Sequence, residues 1–299
     1  MSCLLSTITF LPKDINSMIR NYEVVRLTAV ILVTLIINCS GFSQGNNYEV
    51  FALKFATNGK VAISNVAVGA VTKDSVEICY MFWLLKGRNG RTVLVDAGFT
   101  DTTEMQNLKH TRPDKVLERL NIQPKQITDI IITHPHRDHI NGIDLFPEAM
   151  VWMQKDDFDY FVGAAWQKGG STIGFEKKDV QKVIQRNLDK KLTLVKGDDL
   201  EIIPGIKVYI GSKHTYESQY VLVKSNSDNV IIASDNSWFY YNLIHLLPIP
   251  MTFDSKGYLE NLKRMKAMVK DVNLIIPGHD LLVFSKFPTV AEDVVRIRD

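Results

Sequence analysis

One short segment, IIITHPHRDHING (residues 130–142), constrains this chain most strongly, because it holds three of the seven histidines. Its β-branched start, Ile130 to Thr133, predicts a buried strand. Four polar candidates follow directly: His134, His136, Asp138 and His139. Alternate residues of an extended segment point the same way, so the first two can converge on one ion, and a turn directs the other two to a second point. Imidazole and carboxylate groups suit zinc and similar divalent ions, so the segment predicts a metal site at a strand end.

Three further candidate ligands also follow apolar runs. His214 stands in GSKHTYES, Asp235 in IIASDNSW and His279 in PGHD, each just after a predicted strand. Taken singly, they also fit a turn residue, an Asx turn and a helix cap. Because ligands at strand ends can gather at one edge of a sheet, the three together complete two ligand sets. His110 and His245 have no such setting and are interpreted as surface or packing residues.

The rest of the chain predicts a single α+β domain over residues 44–299. Composition is ordinary for a globular protein, at 45% hydrophobic and 23% charged residues with net charge +2, so no nucleic-acid partner is expected. Predicted strands include YEVFALKFA, GKVAISNVAVG, SVEICYMFWLLKG, RTVLVDAGF, MVWMQ, LTLV, GIKVYIG, a hairpin in QYVLVKSNSDNVIIASD, and VNLIIPGHD as the last strand. Predicted helices are RPDKVLERLNI, DHINGIDLF, KDDFDYFVGAAWQKG, EKKDVQKVIQRNLDKK and YLENLKRMKAMVK. Strand-rich halves flanked by helices predict two packed sheets with helices outside.

Residues 1–43 are interpreted as a leader that is removed on export. The apolar run Leu27 to Ile37 suits a signal-peptide core and is too short to span a bilayer, so no membrane span is expected in the mature form. Gly41 and Ser43 favour cleavage before Gln44, and Met18 is an alternative start to Met1. We therefore expect a periplasmic or secreted protein; lipoprotein anchoring at Cys39 is the less favoured alternative.

The motifs resemble the metallo-β-lactamase superfamily from about Tyr48 to His279. The resemblance is carried by THPHRDH, His214, Asp235, His279 and LVDAGF with Asp96. It implies an αββα sandwich with the site at its edge and two divalent ions per chain, zinc being the expected metal. It also implies one ion on His134, His136 and His214, the other on Asp138, His139 and His279, a bridging Asp235, and Asp96 hydrogen-bonded to the ligands from behind.

Within the superfamily, the pattern is most similar to the N-acyl-homoserine lactone lactonases, which implies a small-molecule lactone substrate. Two close cations hold a bridging hydroxide near neutral pH, because metal binding lowers the pKa of water. We expect this hydroxide to attack the lactone carbonyl while Asp138 accepts a proton and returns it to the leaving group. The alternatives are another ester or thioester hydrolase, similar to glyoxalase II, and a metal-binding module without catalysis. A homodimer is left open.

Two aromatic-rich segments, FDYFVGAAW and WFYYNLIHLLPIPM, predict a pocket for an acyl chain. The candidates are Phe158, Phe161, Trp166, Trp238, Tyr240 and Tyr241. Burial in the core is the alternative for each. Well-known lactonases have a tyrosine three residues after the bridging aspartate, where this chain has Trp238. Either Tyr240 or Tyr241 takes over the role of that tyrosine, or the metals stabilise the developing charge with only Asp138 assisting. We favour the second, so that Tyr240→Phe and Tyr241→Phe should each cost less than about tenfold in turnover.

Overall fold

The fold is taken from a computed structural model that describes residues 46–100, 102, 108–226 and 228–299. The leader predicted over residues 1–43 lies outside the described residues. The strands are β1 (Tyr48–Ala62), β2 (Ser75–Gly87), β3 (Thr92–Val95), β4 (Lys109–His110), β5 (Asp129–Ile131), β6 (Met150–Gln154), β7 (Leu192–Val195), β8 (Leu200–Ile203), β9 (Ile206–Ile210), β10 (Gln219–Lys224), β11 (Asn229–Ser234), β12 (Ile275–Pro277), β13 (Thr289–Ala291) and β14 (Val294–Arg298). The α-helices are α1 (Pro113–Glu118), α2 (Arg137–Ile140), α3 (Lys155–Val162), α4 (Lys177–Leu188), α5 (Tyr240–His245), α6 (Ser255–Met268) and α7 (Val283–Lys286). In this described part of the chain, no helix is long and apolar enough to cross a bilayer.

The strands form two sheets. The first has the order β13-β14-β1-β2-β3-β5-β6-β7, with β4 paired to β1, and the second has the order β12-β11-β10-β9-β8. In the first sheet β3, β5, β6 and β7 run parallel, so their carboxyl ends meet at one edge. In the second sheet β11 and β12 are also parallel. The segments that carry the candidate ligands follow β5, β11 and β12 of these strands, except that His214 follows β9.

Strand β2 shows why this sequence builds a sandwich. Its middle, ICYMFWLL, is apolar without alternation, which is typical of a strand buried on both faces. Met81 and Trp83 lie in the core between the sheets, which also includes side chains of α5 and α6. Tyr80 and Phe82 face the other way, into a second core shared with α1, α3 and α4. Helices therefore cover both outer faces, and the αββα sandwich is confirmed.

Two strand predictions are wrong. GKVAISNVAVG is not a separate strand, because β1 continues to Ala62 and a 3-10 turn at Ile63–Asn65 follows. The strand of VNLIIPGHD is not the last, because β13 and β14 follow it, and β14 pairs antiparallel with β1. In β14 arginines separate the buried apolar residues, so its apolar signal is weak. The hairpin is confirmed, with β10 antiparallel to β11.

Candidate metal centre

The structure brings all seven candidate ligands together at one edge of the sandwich. They form two groups, within each of which the ligand atoms lie no more than 4.8 Å apart: His134, His136, His214 and Asp235 in the first, and Asp138, His139 and His279 in the second. Helix α2, which begins directly after His136, carries Asp138 and His139. The short turn from β5 into α2 thus splits one sequence motif between two groups.

Asp235 lies between the two groups. Its Oδ2 is 3.1 Å from Nε2 of His214 and 3.8 Å from Nε2 of His134. Its Oδ1 is 3.1 Å from Nε2 of His279 and 3.5 Å from Nε2 of His139. Oδ2 is also 3.3 Å from Nε2 of His279, so the Asp235 carboxylate contacts histidines of both groups.

The donor set fits divalent metal ions. Nε2 of His134, His139 and His214 and Oδ1 of Asp235 are buried without a hydrogen-bond partner. Buried polar atoms are rarely left unpaired, and such groups require an explanation, of which a bound ion is one. Nitrogen and carboxylate oxygen donors converging on two neighbouring points suit zinc and similar ions.

Three ligand imidazoles are oriented by acceptors behind them. His214 Nδ1 donates to the Met251 carbonyl oxygen at 2.6 Å, and His279 Nδ1 donates to the Cys79 carbonyl oxygen at 3.0 Å. His139 Nδ1 lies 2.7 Å from Oδ2 of Asp96. These contacts direct each Nε2 into the site, as partners of metal-ligating histidines usually do.

Asp96 accepts hydrogen bonds from residues at the ends of strands that lead into the site. Its Oδ1 accepts from the Thr133 backbone N–H at 2.8 Å, and its Oδ2 accepts from the Ser234 hydroxyl at 3.1 Å. Asp96 and Ser234 both have left-handed backbone conformations, with φ of 62° and 47°. Such conformations cost free energy in non-glycine residues and cluster at functional sites. Asp96 therefore lies where the sequence resemblance placed it, behind the ligands.

Comparison with known proteins agrees with this geometry. A profile of the metallo-β-lactamase superfamily matches residues 78–279. The chain belongs to the metallo-β-lactamase superfamily. It is 24% identical over 221 residues to an N-acyl homoserine lactonase of Bacillus cereus, covering 68% of this chain and 80% of the relative. A probable metallo-hydrolase of Methanocaldococcus jannaschii is 28% identical over 194 residues, covering 65% and 73%.

Solved structures show the same fold. A quorum-quenching N-acyl homoserine lactone lactonase superimposes with a TM-score of 0.64 at 20% identity, covering 82% of this chain and 97% of the other. A dizinc quorum-quenching lactonase in complex with a product superimposes with a TM-score of 0.58 at 15% identity, covering 79% and 92%. At these identities the likeness establishes the fold of this superfamily member.

The electrostatics of this superfamily site divide the ligands. Burial opposes protonation of His139 and His279, but neighbouring carboxylates, Asp138 for the first and Asp235 for the second, raise the pKa of both imidazoles. Burial lowers the pKa of His134 well below its usual value and that of His136 to about 3, so both imidazoles are neutral. Burial opposes ionisation of Asp235, but the neighbouring His279 and His139 hold its pKa well below the usual range. Neutral imidazoles and an ionised carboxylate are the forms that ligate metal ions.

Two glycines allow the close packing of the ligands. A Cβ at Gly278 would lie 2.4 Å from Oδ1 of Asp235. Gly174 has a φ of +75°, and a Cβ there would lie 2.5 Å from Cδ2 of His136. The loop that precedes α4 thus packs directly on a ligand ring.

Asp157 of α3 holds the turn that carries His214, a role that the sequence did not indicate. Its carboxylate accepts from the Thr215 hydroxyl at 2.7 Å and from the Glu217 backbone N–H at 3.1 Å. Burial raises the pKa of Asp157 to about 6. The local sequence KDDFDY offers three aspartates and no signal that singles out this one.

A cavity of about 400 Å³ opens beside the ligands. Its larger side chains, apart from the charged and ligand residues, are Val66, Ile78, Tyr80, Phe175, Trp238, Phe239 and Met251. Burial raises the pKa of Tyr80 to about 12. A second cavity of about 200 Å³ shares His136, His214, Phe175 and Met251 with the first and includes the exposed Ile173 and Phe253.

The structure corrects most of the predicted pocket. Of the six candidates, all of them described, only Trp238 lines the larger cavity, and its indole N–H donates to Oδ2 of Asp235 at 2.6 Å. Phe158 and Phe161 lie in the core beneath the first sheet, because α3 packs its apolar face there. The Trp166 indole donates to the carbonyl oxygen of Phe161.

The two tyrosine candidates also lie outside the cavity lining. The Tyr240 hydroxyl donates to the Asn273 carbonyl oxygen at 3.2 Å, and the Tyr241 ring lies against His245 at a centroid distance of 4.1 Å. His110 stacks on Phe99 at 5.1 Å. Neither His110 nor His245 belongs to a ligand group.

Proposed function

We propose that this metallo-β-lactamase-fold hydrolase opens the lactone ring of N-acyl-homoserine lactones. The observation that carries the proposal is the joint geometry of the two ligand groups, bridged by Asp235, and the largely apolar cavity beside them. A cavity of about 400 Å³ lies in the size range of small-molecule sites. The N-acyl homoserine lactonase relatives support the proposal, and the activity that their names state is that of the relatives themselves.

The site residues have different roles in the proposed hydrolysis. When bound, two divalent ions, which we propose to be zinc, would supply Lewis acidity and would lower the pKa of a water molecule bound to them. The seven ligand side chains would hold those ions, and Asp235 lies between the two ligand groups. Asp138 lies at the cavity surface, with 23% of its side chain exposed against 3% for Asp235. Asp138 can therefore take a proton from water at a carboxylate oxygen and return it to the leaving oxygen.

The acyl chain of the substrate is proposed to lie along the two connected cavities. Phe175 and Met251 line both, so a chain that starts beside the ligands can extend between them into the second cavity. Ile173 and Phe253, which are 70% and 64% exposed, lie at that far end and gain apolar contacts when a long chain binds. Each methylene buried contributes about 0.8 kcal/mol to binding.

A side-by-side hydrolysis assay tests this function. Zinc-loaded protein is offered an acyl-homoserine lactone, S-lactoylglutathione, a β-lactam and a phosphodiester at equal concentrations. We expect a clear preference for the lactone and metal analysis close to two ions per chain. Faster turnover of S-lactoylglutathione would support a thioesterase similar to glyoxalase II, and two bound metals with no hydrolysis of any substrate would support a metal-binding module.

Export is a separate proposal and has its own test. We propose that residues 1–43 are removed and that the mature protein begins near Gln44. N-terminal sequencing of protein recovered from outside the cytoplasm of the native host should begin near that residue. An intact Met1 or Met18 would contradict the proposal.

A further inference from the structure

Trp238, Tyr240 and Tyr241 do not supply a hydrogen-bond donor to the substrate. The Trp238 indole N–H is its only donor, and that donor is already bonded to Asp235 at 2.6 Å. The Tyr240 hydroxyl bonds the Asn273 carbonyl oxygen. Tyr241 packs on His245 and does not line the cavity. An aromatic side chain that donates a hydrogen bond to the substrate would therefore have to lie on another element.

Tyr80 of β2 is the one tyrosine in the cavity lining among the described residues. Its ring contacts the His279 ring edge-to-face at a centroid distance of 5.4 Å and the Phe99 ring at 5.5 Å. Pairing of Tyr80 with Ala56 fixes its place in the sheet. Strand pairing on one side and two ring contacts on the other leave the phenol little freedom to move.

The surroundings of the phenol place it beside the second ligand group. Burial and, to a smaller extent, the charge of Asp138 raise the pKa of the Tyr80 phenol, and the exposed Asn58 side chain acts in the opposite direction. Asp138 and His279 both line the cavity with Tyr80. Asp138 is also the group that returns a proton to the leaving oxygen in the proposed reaction. Because Asp138 and Tyr80 line the same cavity, a substrate oxygen that receives a proton from Asp138 also comes within reach of Tyr80.

We propose that Tyr80 donates a hydrogen bond to the leaving ring oxygen of the substrate, an inference that rests on the proposed lactone hydrolysis. In that reaction the oxygen of water adds to the lactone carbonyl carbon, and the bond from that carbon to the ring oxygen breaks. The ring oxygen leaves with the electron pair and receives the proton carried by Asp138. The Tyr80 O–H bond stays intact throughout and stabilises the negative charge on that oxygen while it lasts.

The test uses Tyr80→Phe and a pair of substrates that differ in the leaving atom. One is an N-acyl-homoserine lactone, and the other is the matching N-acyl-homocysteine thiolactone, whose sulfur is a weak hydrogen-bond acceptor. We expect kcat on the lactone to fall roughly 10- to 100-fold, the effect of losing a hydrogen bond to a charged group. We expect less than threefold loss on the thiolactone, little change in KM, and unchanged metal content.

Tyr241→Phe is the matched control, because it removes a phenol hydroxyl of the same domain that lies outside the cavity lining. Equal losses of kcat on both substrates, or no loss on either, overturn the role of Tyr80. A loss accompanied by reduced metal content also overturns it and indicates a structural role beside His279. If the wild-type protein opens neither substrate, the proposed function itself has failed and the inference falls with it. If the wild-type protein hydrolyses the lactone and Tyr80→Phe hydrolyses it equally fast, the inference about Tyr80 fails and the proposed function stands.

Discussion

The ligand cluster and the cavity wall adjoin each other, but the fold holds them with different rigidity. His139, His214 and His279 each have a hydrogen-bonded acceptor behind the ring, and six of the seven ligands are buried, Asp138 being the exception. The wall is assembled from β2, the loop before α4 and the segment after α5, and Ile173 and Phe253 are largely exposed. The difference indicates that the cluster tolerates almost no change, whereas the wall can vary and adjust which substrate fits.

Removing the bridging carboxylate should have the largest effect. In Asp235→Ala both ligand groups lose a shared oxygen donor, and Nε2 of His214 and His279 lose their nearest negative charge. We expect metal content to fall below two ions per chain and kcat to fall on the order of 10³-fold or more. Metal analysis and lactone turnover provide the measurements. Asp144→Ala, at an exposed aspartate soon after α2, is the control, and similar losses in both variants would contradict the bridging role.

Neutralising the carboxylate behind His139 should have the next largest effect. In Asp96→Asn the amide can present a donor to His139 Nδ1, which then lacks its acceptor. We expect zinc affinity to weaken by roughly 10- to 100-fold, the usual cost of losing such a partner. Competition with a chromogenic chelator measures it. Ser234→Ala removes one hydrogen bond to Asp96 and a 3.4 Å contact with His139 Nδ1 but keeps the Asp96 charge, so a loss as large as that in Asp96→Asn would argue against the charge as the cause.

Adding a side chain at Gly174, whose loop packs on the His136 ring, should have an intermediate effect, seen in the free energy of unfolding. Gly174→Ala brings a Cβ onto the His136 ring, whereas Gly169→Ala, also at positive φ in this loop, meets no heavy atom within 4 Å. The two substitutions share the backbone strain, so their difference isolates the crowding. We expect Gly174→Ala to lower the free energy of unfolding by about 1–3 kcal/mol more than Gly169→Ala. Denaturant titration measures this difference, and equal values would show that the loop moves freely away from His136.

Changing the far end of the wall should have the smallest effect. Phe253→Ser should lower kcat/KM for a dodecanoyl lactone roughly fivefold, or ~1 kcal/mol, and leave a butanoyl lactone unchanged, since only the long chain reaches it. Leu188→Ser, at an equally exposed apolar residue of α4, provides the control. Steady-state kinetics across a series of acyl lengths would reveal the difference. The same loss for short and long chains would remove the second cavity from the acyl-chain path.

The contrast also explains how much the sequence predicted. The ligands are predictable from the sequence because their segments follow apolar runs and because their chemistry needs a narrow set of residue types. Wall residues such as Val66, Phe175 and Met251 carry no such signal, because the same apolar residue types occur in cores and in cavity walls. The aromatic-rich sequence around Phe158 and Phe161 predicts that they line the pocket, but the orientation of α3 buries them in the core. Orientation of that kind is set by tertiary packing rather than by local sequence.

The ligand groups draw on both layers of the sandwich: Asp138 and His139 follow β5 of the first sheet, and Asp235 and His279 follow strands of the second. Ions that bind these side chains only in the folded chain act as removable cross-links between the layers. By mass action, each site would add about 2.7 kcal/mol to the free energy of unfolding at a free metal concentration a hundred times its Kd. Resistance of the protein to heat and proteases would then track the metal supply of its surroundings, and a chelator would loosen the scaffold as well as stop the chemistry.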